Sequence, residues 1–304
     1  MKYFPLFLSL SLLSQIACTT KTEEVSETET EPISLEGTWT LKAQRQNHPF
    51  LRTQEGGPDT SWYEYPETVI YQKHITPTHF TWIRFEKDKD SLVGTGGGTY
   101  TYDDATRTYT EDIHFFYPPG SNELGQAIPF SVEIKDGRWY HKGYAKVFEF
   151  DPDIGENVVS DSLVIDEIWE RTNVSPTDVT NGSLVGTWNQ QSVKSSNDSL
   201  WTEWPSFVGY MKLVTPTHFV WVKYNTEGDE VMGAGGGSYA LSDDQYIEHL
   251  QFFHPTTGAY STATSTFNYT LGDDEQWQIS GSVDDGSGES NPFEEIWKKY
   301  NYHP

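Results

Sequence analysis

The chain contains one sequence block twice, and this duplication constrains its fold more than any other feature. Thr-Pro-Thr-His-Phe-Thr-Trp at residues 76–82 returns as Thr-Pro-Thr-His-Phe-Val-Trp at 215–221, an offset of 139 (215 − 76). The Gly-Gly-Gly tract at 96–98 recurs at 235–237 with the same offset. A unit of that length is a complete domain rather than a solenoid repeat of about 20 to 50 residues. The chain is therefore expected to fold as two related domains.

Tryptophan motifs mark where each unit begins and ends. Gly-Thr-Trp opens the units at 37–39 and 186–188, and Glu-Ile-Trp closes them at 167–169 and 295–297. We therefore predict a first domain at 35–172, a linker at 173–182 and a second domain at 183–302.

Both units read as strands throughout. Segments rich in Tyr, Trp, Phe, Val and Thr alternate with turns that carry Asp, Gly or Pro, and helical periodicity is absent. We count about eight strands per unit, the number that closes a barrel around side chains or one small ligand. The predicted fold class is all-β, with two tandem antiparallel up-and-down barrels of about eight strands each. The glycine tracts are expected to let a strand bend or bulge sharply at a barrel corner.

The opening motif resembles the Gly-X-Trp signature of lipocalins, in which the tryptophan closes one end of an eight-stranded barrel. With the Thr-Pro-Thr-His-Phe-X-Trp and Gly-Gly-Gly-X-Tyr blocks, the chain more closely resembles a lipocalin-like family of exported Bacteroidota proteins, largely of unknown function. The resemblance covers nearly all of 35–302 and implies a calycin-type barrel. It also implies a cation over the signature ring, a place that Arg171 and Lys299 are expected to take.

The N-terminus has the form of an export signal. Residues 1–17 contain Lys2 followed by a short apolar segment, and the segment at 4–13 is too short to span a bilayer. Cys18, the only cysteine, ends a sequence that resembles a bacterial lipobox, which implies lipidation, including palmitate, at Cys18. An ordinary signal peptide is the alternative. Residues 18–34 are expected to form a flexible acidic tether, and their acidic start resembles an export signal to the outer membrane or cell surface in Bacteroidota.

The net charge of −25 limits the partners that the protein can have. Nucleic acid and anionic membrane surfaces would be repelled, so we expect contact with a membrane only through the lipid anchor. A small-molecule ligand is the expected partner, and the sequence leaves the oligomeric state open. No cofactor is expected, and no metal site is expected because few histidines recur between the units.

Two histidines and two glutamates recur and are the candidate catalytic residues. Strand alternation places Glu111 and Glu248 on apolar faces with Tyr109, Ile113 and Phe115 or their counterparts. His79 and His218 each follow a Thr-Pro-Thr turn, and the inward face of their strands is not decidable from the pattern. Such a His/Glu pair could perform general acid–base chemistry. Alternatively the pair is structural, with the imidazole bonded to a turn carbonyl and the glutamate bonded to lysine 73 or 212.

Aromatic residues are the other candidate site, since the chain has 11 Trp, 18 Tyr and 16 Phe. Rings at a barrel mouth would suit stacking on a sugar or enclosing an apolar ligand; otherwise they fill the cores. The ligand-binding candidates are Trp62, Tyr100, Tyr109, Trp201, Tyr239 and Tyr246.

Three functions follow from these patterns. The first is a lipid-anchored binding module in which each barrel holds a small apolar or glycan-derived ligand. The second is a barrel enzyme of isomerase, cyclase or lyase type that uses the His/Glu pairs. The third is a structural or assembly module with filled barrels. An open interior favours the first two, and convergence of His with Glu is required for the second.

Overall fold

A computed structural model of the chain describes residues 34–47, 62–172, 184–195, 200–242, 244–255, 263–284 and 290–300. The predicted signal segment, Cys18 and the linker at 173–182 lie outside the described residues. The helices among the described residues include none long and apolar enough to span a bilayer.

The first barrel contains nine strands: β1 (Gly37–Asn47), β2 (Tyr63–Glu64), β3 (Val69–Ile75), β4 (His79–Glu86), β5 (Ser91–Asp103), β6 (Thr108–Tyr117), β7 (Ala127–Lys135), β8 (Arg138–Asp151) and β9 (Glu156–Arg171). A single 3-10 turn, Lys87–Lys89, joins β4 to β5. The second barrel repeats the arrangement with β10 (Gly186–Ser195), β11 (Thr202–Glu203), β12 (Val208–Val214), β13 (His218–Asn225), β14 (Val231–Leu241), β15 (Gln245–His254), β16 (Thr264–Leu271), β17 (Gln276–Asp284) and β18 (Ser290–Lys299).

Each sheet closes into a barrel with up-and-down order. Neighbouring strands pair antiparallel from β1 through β3 to β9, and β1 also pairs with β9; β10 closes on β18 in the same way. The short strands β2 and β11 pair with β1 and β10 beyond the segments that pair with β3 and β12. The predicted fold class is confirmed, as two closed eight-stranded antiparallel barrels with one extra strand each.

The Gly-Thr-Trp motifs close one end of each barrel. The Trp39 indole Nε1 donates to the Leu35 carbonyl at 2.8 Å, and Trp188 makes the same bond to Leu184. The Arg171 guanidinium carbon lies 3.9 Å from the centre of the Trp39 ring. Lys299 Nζ lies 5.5 Å from the centre of the Trp188 ring. The expected cation–π contact is therefore confirmed in both barrels.

The glycine tracts lie opposite a β-bulge, but the extra residue belongs to the partner strand and not, as expected, to the glycine strand itself. The register between β5 and β6 shifts between Gly97 and Gly98, and the same shift occurs between β14 and β15. A Cβ on Gly98 would lie 2.0 Å from the Asp112 carbonyl oxygen, so only glycine fits there. The bulge also corrects one expectation. Phe115 does not share the inner face with Glu111, because the extra residue reverses the alternation and turns Phe116 inward.

The outer faces of the two barrels pack against each other in one hydrophobic cluster. Phe85 and Phe115 of the first barrel lie beside Phe252 and Tyr224 of the second, with ring centres 5.9 and 4.7 Å apart. Threonine hydroxyls at equivalent positions also pair across the barrels, Thr38 with Thr215 at 2.7 Å and Thr76 with Thr187 at 2.6 Å. Each contact thus occurs twice with the roles of the halves exchanged, which is the pattern of a two-fold interface.

Candidate functional site

The inner wall of the first barrel carries a buried ion pair. Lys73 on β3 and Glu111 on β6 have side chains 3% and 5% exposed, and Nζ lies 2.7 Å from Oε1. Five aromatic rings surround the ammonium, with centres 5.0 to 6.0 Å from Nζ: Phe80, Tyr109, Phe130, Trp139 and Trp169. Carboxylate and ring faces together compensate the charge that the lysine would otherwise bury unpaired.

His141 and Glu167 extend this ion pair across the barrel floor. Nδ1 of His141 lies 3.5 Å from Lys73 Nζ and 3.2 Å from Glu167 Oε2. The same carboxylate oxygen accepts a 2.9 Å hydrogen bond from the Trp169 indole. The two side chains are 1% and 8% exposed. We name this set, Lys73, Glu111, His141 and Glu167, the floor network of barrel 1.

Burial sets the protonation of the network. It lowers the pKa of His141 well below its usual value, and the Lys73 charge lowers it further, so the imidazole is neutral near pH 7. Burial also raises the pKa of Glu167, against the opposing effects of Lys73 and the Trp169 hydrogen bond. The Nε2 atom of His141 has no hydrogen-bond partner among the described residues.

The second barrel repeats the network with one substitution. Lys212 Nζ lies 2.9 Å from Glu248 Oε1, and their side chains are 6% and 12% exposed. Glu295 accepts a 2.9 Å bond from the Trp297 indole, and burial raises the pKa of this carboxyl. Ile279 occupies the place of His141, since both residues pair with the glutamate of the closing Glu-Ile-Trp motif. We name Lys212, Glu248, Ile279 and Glu295 the floor network of barrel 2.

Each floor network forms part of the wall of a cavity. Cavity 1, of about 230 Å³, is lined by all four members of the first network and by the apolar or aromatic side chains of Tyr71, Trp82, Phe116, Phe130, Ile165 and Trp169, with Arg84 and Glu123 also in its wall. Cavity 2, of about 370 Å³, is lined by the second network and by Tyr210, Trp221, Leu250, Phe253, Phe293 and Trp297. Each is a concave, mostly apolar site with a few convergent polar groups, the usual form of a ligand pocket.

The structure places the recurring histidines and glutamates on different faces. Trp82 and Arg84 of β4 line cavity 1, so His79, two residue positions from Thr81, lies on the opposite face of the strand. His79 Nδ1 is 2.8 Å from the Thr78 hydroxyl, and the His79 ring contacts Tyr300. His218 has the same 2.8 Å contact with Thr217. The structure thus brings Glu111 to Lys73, not to His79, and Glu248 to Lys212, not to His218.

The pKa of His79 depends on its burial and on a neighbouring imidazole. Burial, with a smaller effect from His114, lowers the pKa of His79 to about 4. The imidazole is therefore neutral at pH 7. The ring of His218 lies 6.2 Å from that of His74, inside the contact between the two barrels.

The six aromatic candidates lie outside the cavity walls, among the residues that the structure describes. Tyr109 and Tyr246 are fully buried at the closed ends of the barrels. Tyr100 and Tyr239 donate their hydroxyls to the Thr76 and Thr215 carbonyls at 2.8 and 2.9 Å. Trp62 and Trp201 are 39% and 38% exposed, with Arg45 and Lys194 over their rings.

Sequence reasoning missed four members of the floor networks: His141, Glu167, Ile279 and Glu295. The two glutamates begin the repeated Glu-Ile-Trp motif, so their signal was present in the duplication. His141 has isoleucine as its counterpart, so comparison of the two halves gives no signal for this residue. The described residues contain no group of three or more His, Cys, Asp or Glu side chains that could hold a metal ion.

Comparison with known proteins places one half of the chain in context. Residues 183–304, which contain the second barrel, match a family model described as a domain of unknown function, DUF4488. Among solved structures, an uncharacterized protein from Saccharomyces cerevisiae is similar at 11% identity and a TM-score of 0.39, with 88% of this chain and 98% of that chain covered. A mutant of the vaccine antigen Transferrin Binding Protein B from Haemophilus parasuis Hp5 is similar at 8% identity and a TM-score of 0.24, covering 89% and 77%. No curated protein matches the chain.

Proposed function

We propose that the protein is an exported, lipid-anchored binding module whose two barrels each hold one small neutral ligand with hydroxyl groups on an apolar or ring-shaped body. The observation that carries this proposal is the repeated Lys/Glu pair on the floor of an aromatic cavity. An ammonium donor beside a carboxylate acceptor suits a hydroxyl, which both accepts and donates a hydrogen bond.

The charges around the cavities favour a neutral ligand. In barrel 2 the Lys212 charge is already paired with Glu248, and burial favours the uncharged form of Glu295. In barrel 1 Lys73 is paired with Glu111, and the cavity wall also contains Arg84, Glu123 and Glu167, so it carries charges of both signs. An ionic ligand would lose its hydration and would meet charges of its own sign as well as of the opposite sign, which is costly in a buried site. A neutral ring with hydroxyl groups would stack on the aromatic wall and bond to the floor.

The experiment uses 2-naphthol, a neutral aromatic ring with one hydroxyl, as the probe. Titration of the full mature chain, followed by calorimetry or ligand-observed NMR, is expected to reveal two sites. V93W places a large ring in the wall of cavity 1, and A263W does so in cavity 2; each is expected to remove one site. T264W, on the exposed neighbour of Ala263, is the matched control and should retain both. The proposal is refuted if the wild type does not bind 2-naphthol, or if the double variant V93W/A263W still binds it at two sites.

The lipid anchor is tested separately at Cys18. Cells that express the full chain and take up radiolabelled palmitate are expected to label the wild type, and C18S should remain unlabelled and lose membrane attachment. Protease treatment of intact cells would then report whether the anchored protein is at the cell surface. Labelling of C18S would contradict the anchor assignment.

A further inference from the structure

The two cavities differ at the position where the floor networks differ. His141 lines cavity 1, and Ile279 lines cavity 2; both side chains are 1% exposed. The cavities also differ in volume, about 230 Å³ against about 370 Å³. Duplication has therefore produced two pockets with the same Lys/Glu pair but different surroundings.

Cavity 1 contains buried polar atoms that lack partners. Nε2 of His141 and Nε of Arg84 have no hydrogen-bond partner among the described residues, and both side chains belong to the wall of this cavity. The comparable unpartnered atoms of the second barrel, in Gln190, Tyr246 and Trp277, belong to residues outside the wall of cavity 2. A buried polar atom without a partner is destabilising, and a ligand group that bonds to it removes that penalty.

The neutral imidazole suits a ligand hydroxyl in particular. Nδ1 of His141 already contacts Lys73 and Glu167, so Nε2 is the ring atom left for a ligand. Nε2 accepts a hydrogen bond in one tautomer and donates in the other, and a hydroxyl matches both. Ile279 offers no hydrogen-bonding group at the equivalent place, and the larger cavity 2 leaves room for more apolar surface.

We infer that the two barrels have divided their specificity: barrel 1 selects a smaller ligand whose hydroxyl also bonds to His141, and barrel 2 selects a bulkier, more apolar ligand of the same class. This inference rests on the proposed binding function. A site built to bond a ligand hydroxyl discriminates against the analogue that lacks it, because the protein atom is then left unpaired. His141 is thus the specificity-determining residue of the first barrel.

The test compares 2-naphthol with 2-fluoronaphthalene, which has nearly the same shape and lacks the hydroxyl. Each barrel is measured in the full chain with the other cavity blocked. With A263W, barrel 1 is expected to bind 2-naphthol more tightly than the fluorinated analogue, by a ratio about two- to tenfold larger than that of barrel 2, which is the effect of one additional net hydrogen bond. With V93W, barrel 2 is expected to show the smaller ratio that its Lys212/Glu248 pair alone produces.

Exchange of the two residues then tests the assignment. H141I in the A263W chain should lower the ratio to that of barrel 2, and I279H in the V93W chain should raise it. Each substitution introduces the residue that the other barrel has at the equivalent position. Circular dichroism checks that each variant retains its β structure. Equal ratios in the two barrels, or ratios that do not follow the exchange, would overturn the inference. Failure of 2-naphthol to bind either barrel would instead overturn the proposed function, so the two failures are distinguishable.

Discussion

Burial makes three histidines of the first barrel acid-sensitive, His74, His79 and His141, and the first and last of these have aliphatic counterparts in the second barrel. His74 and His141 are 0% and 1% exposed, and the second barrel has Leu213 and Ile279 in their places. Burial, with the nearby His218 imidazole, lowers the pKa of His74 well below its usual value. Burial and the Lys73 charge do the same for His141, although Glu111 opposes them. The exchanges H74L and H141I therefore remove a titrating group and install the side chain found in the other barrel.

The size of the effect follows from proton linkage. An unfolded histidine has a pKa of about 6.5, and below that pH the unfolded state binds more protons than the folded state. Stability therefore falls as pH decreases below about 6.5, and continues to fall until the pH reaches the folded-state pKa. At pH 5.5 the loss is at most about 1.4 kcal/mol per histidine, and about 3 kcal/mol for both, relative to neutral pH. Each variant should lack its share of that loss.

Urea unfolding of the full chain, followed by tryptophan fluorescence at pH 7.5 and pH 5.5, measures the effect. The informative quantity is the change in unfolding free energy between the two pH values, because any packing change caused by the substitution contributes at both. H114Q controls for the removal of an imidazole as such. His114 is 43% exposed, and glutamine is the residue at the equivalent position 251 of the second barrel. If H74L and H141I lose as much stability between pH 7.5 and 5.5 as the wild type, the reasoning is refuted.

Three further predictions concern the ion pair, the second carboxylate and the contact between barrels. K73M leaves Glu111 buried without its cation and should destabilise the protein by about 3 to 5 kcal/mol. K73M/E111L should recover most of the lost unfolding free energy in the same urea assay. Equal losses in the two variants would contradict a coupled pair. The folded pKa of Glu167 lies above its ordinary 4.5, so the stability that this carboxyl contributes declines as pH rises from about 4.5. E167Q should therefore become more stable relative to the wild type as pH rises over that range. A difference in unfolding free energy that does not change with pH would argue against the shift. Phe85 lies between the barrels and is 1% exposed, so F85A should lower the free energy of unfolding by about 3 to 5 kcal/mol. Phe207 is 59% exposed, so the control F207A should lower it by less than about 0.5 kcal/mol. Similar losses in the two variants would mean that the inter-barrel cluster contributes little to stability.

The fold could be predicted from the sequence because its signals are local and repeated. Alternating strands, punctuating turns and the Gly-Thr-Trp motif gave the two closed barrels and the cations over Trp39 and Trp188. The faces were predictable only as far as the alternation is regular. The bulge at His114 reverses it, so Phe115 packs between the barrels and Phe116 faces cavity 1. A single extra residue in a strand cannot be located from a pattern whose period is two.

The site was harder to predict because it depends on which residues meet across the barrel. From the sequence, the pairing of Glu111 with Lys73 is only one of two alternatives, because the two residues are separated by 38 positions along the chain. His79 recurs as His218, yet both belong to strand faces that point away from the cavities, and their recurrence reflects the turn and the contact between the barrels. Recurrence identifies residues that matter but does not say whether they serve the interior or the interface.

The floor networks give the strongest reason to regard the interiors as binding sites rather than packed cores. A buried Lys/Glu pair can often be replaced by apolar residues with no loss of stability, or with a gain. Both halves nevertheless retain the lysine, both glutamates and the tryptophan that bonds to the second glutamate, while His141 and Ile279 beside them have diverged. The two halves thus keep the same polar groups on the cavity floor and vary the residue beside them, which is the pattern expected when related ligands bind to a common anchor.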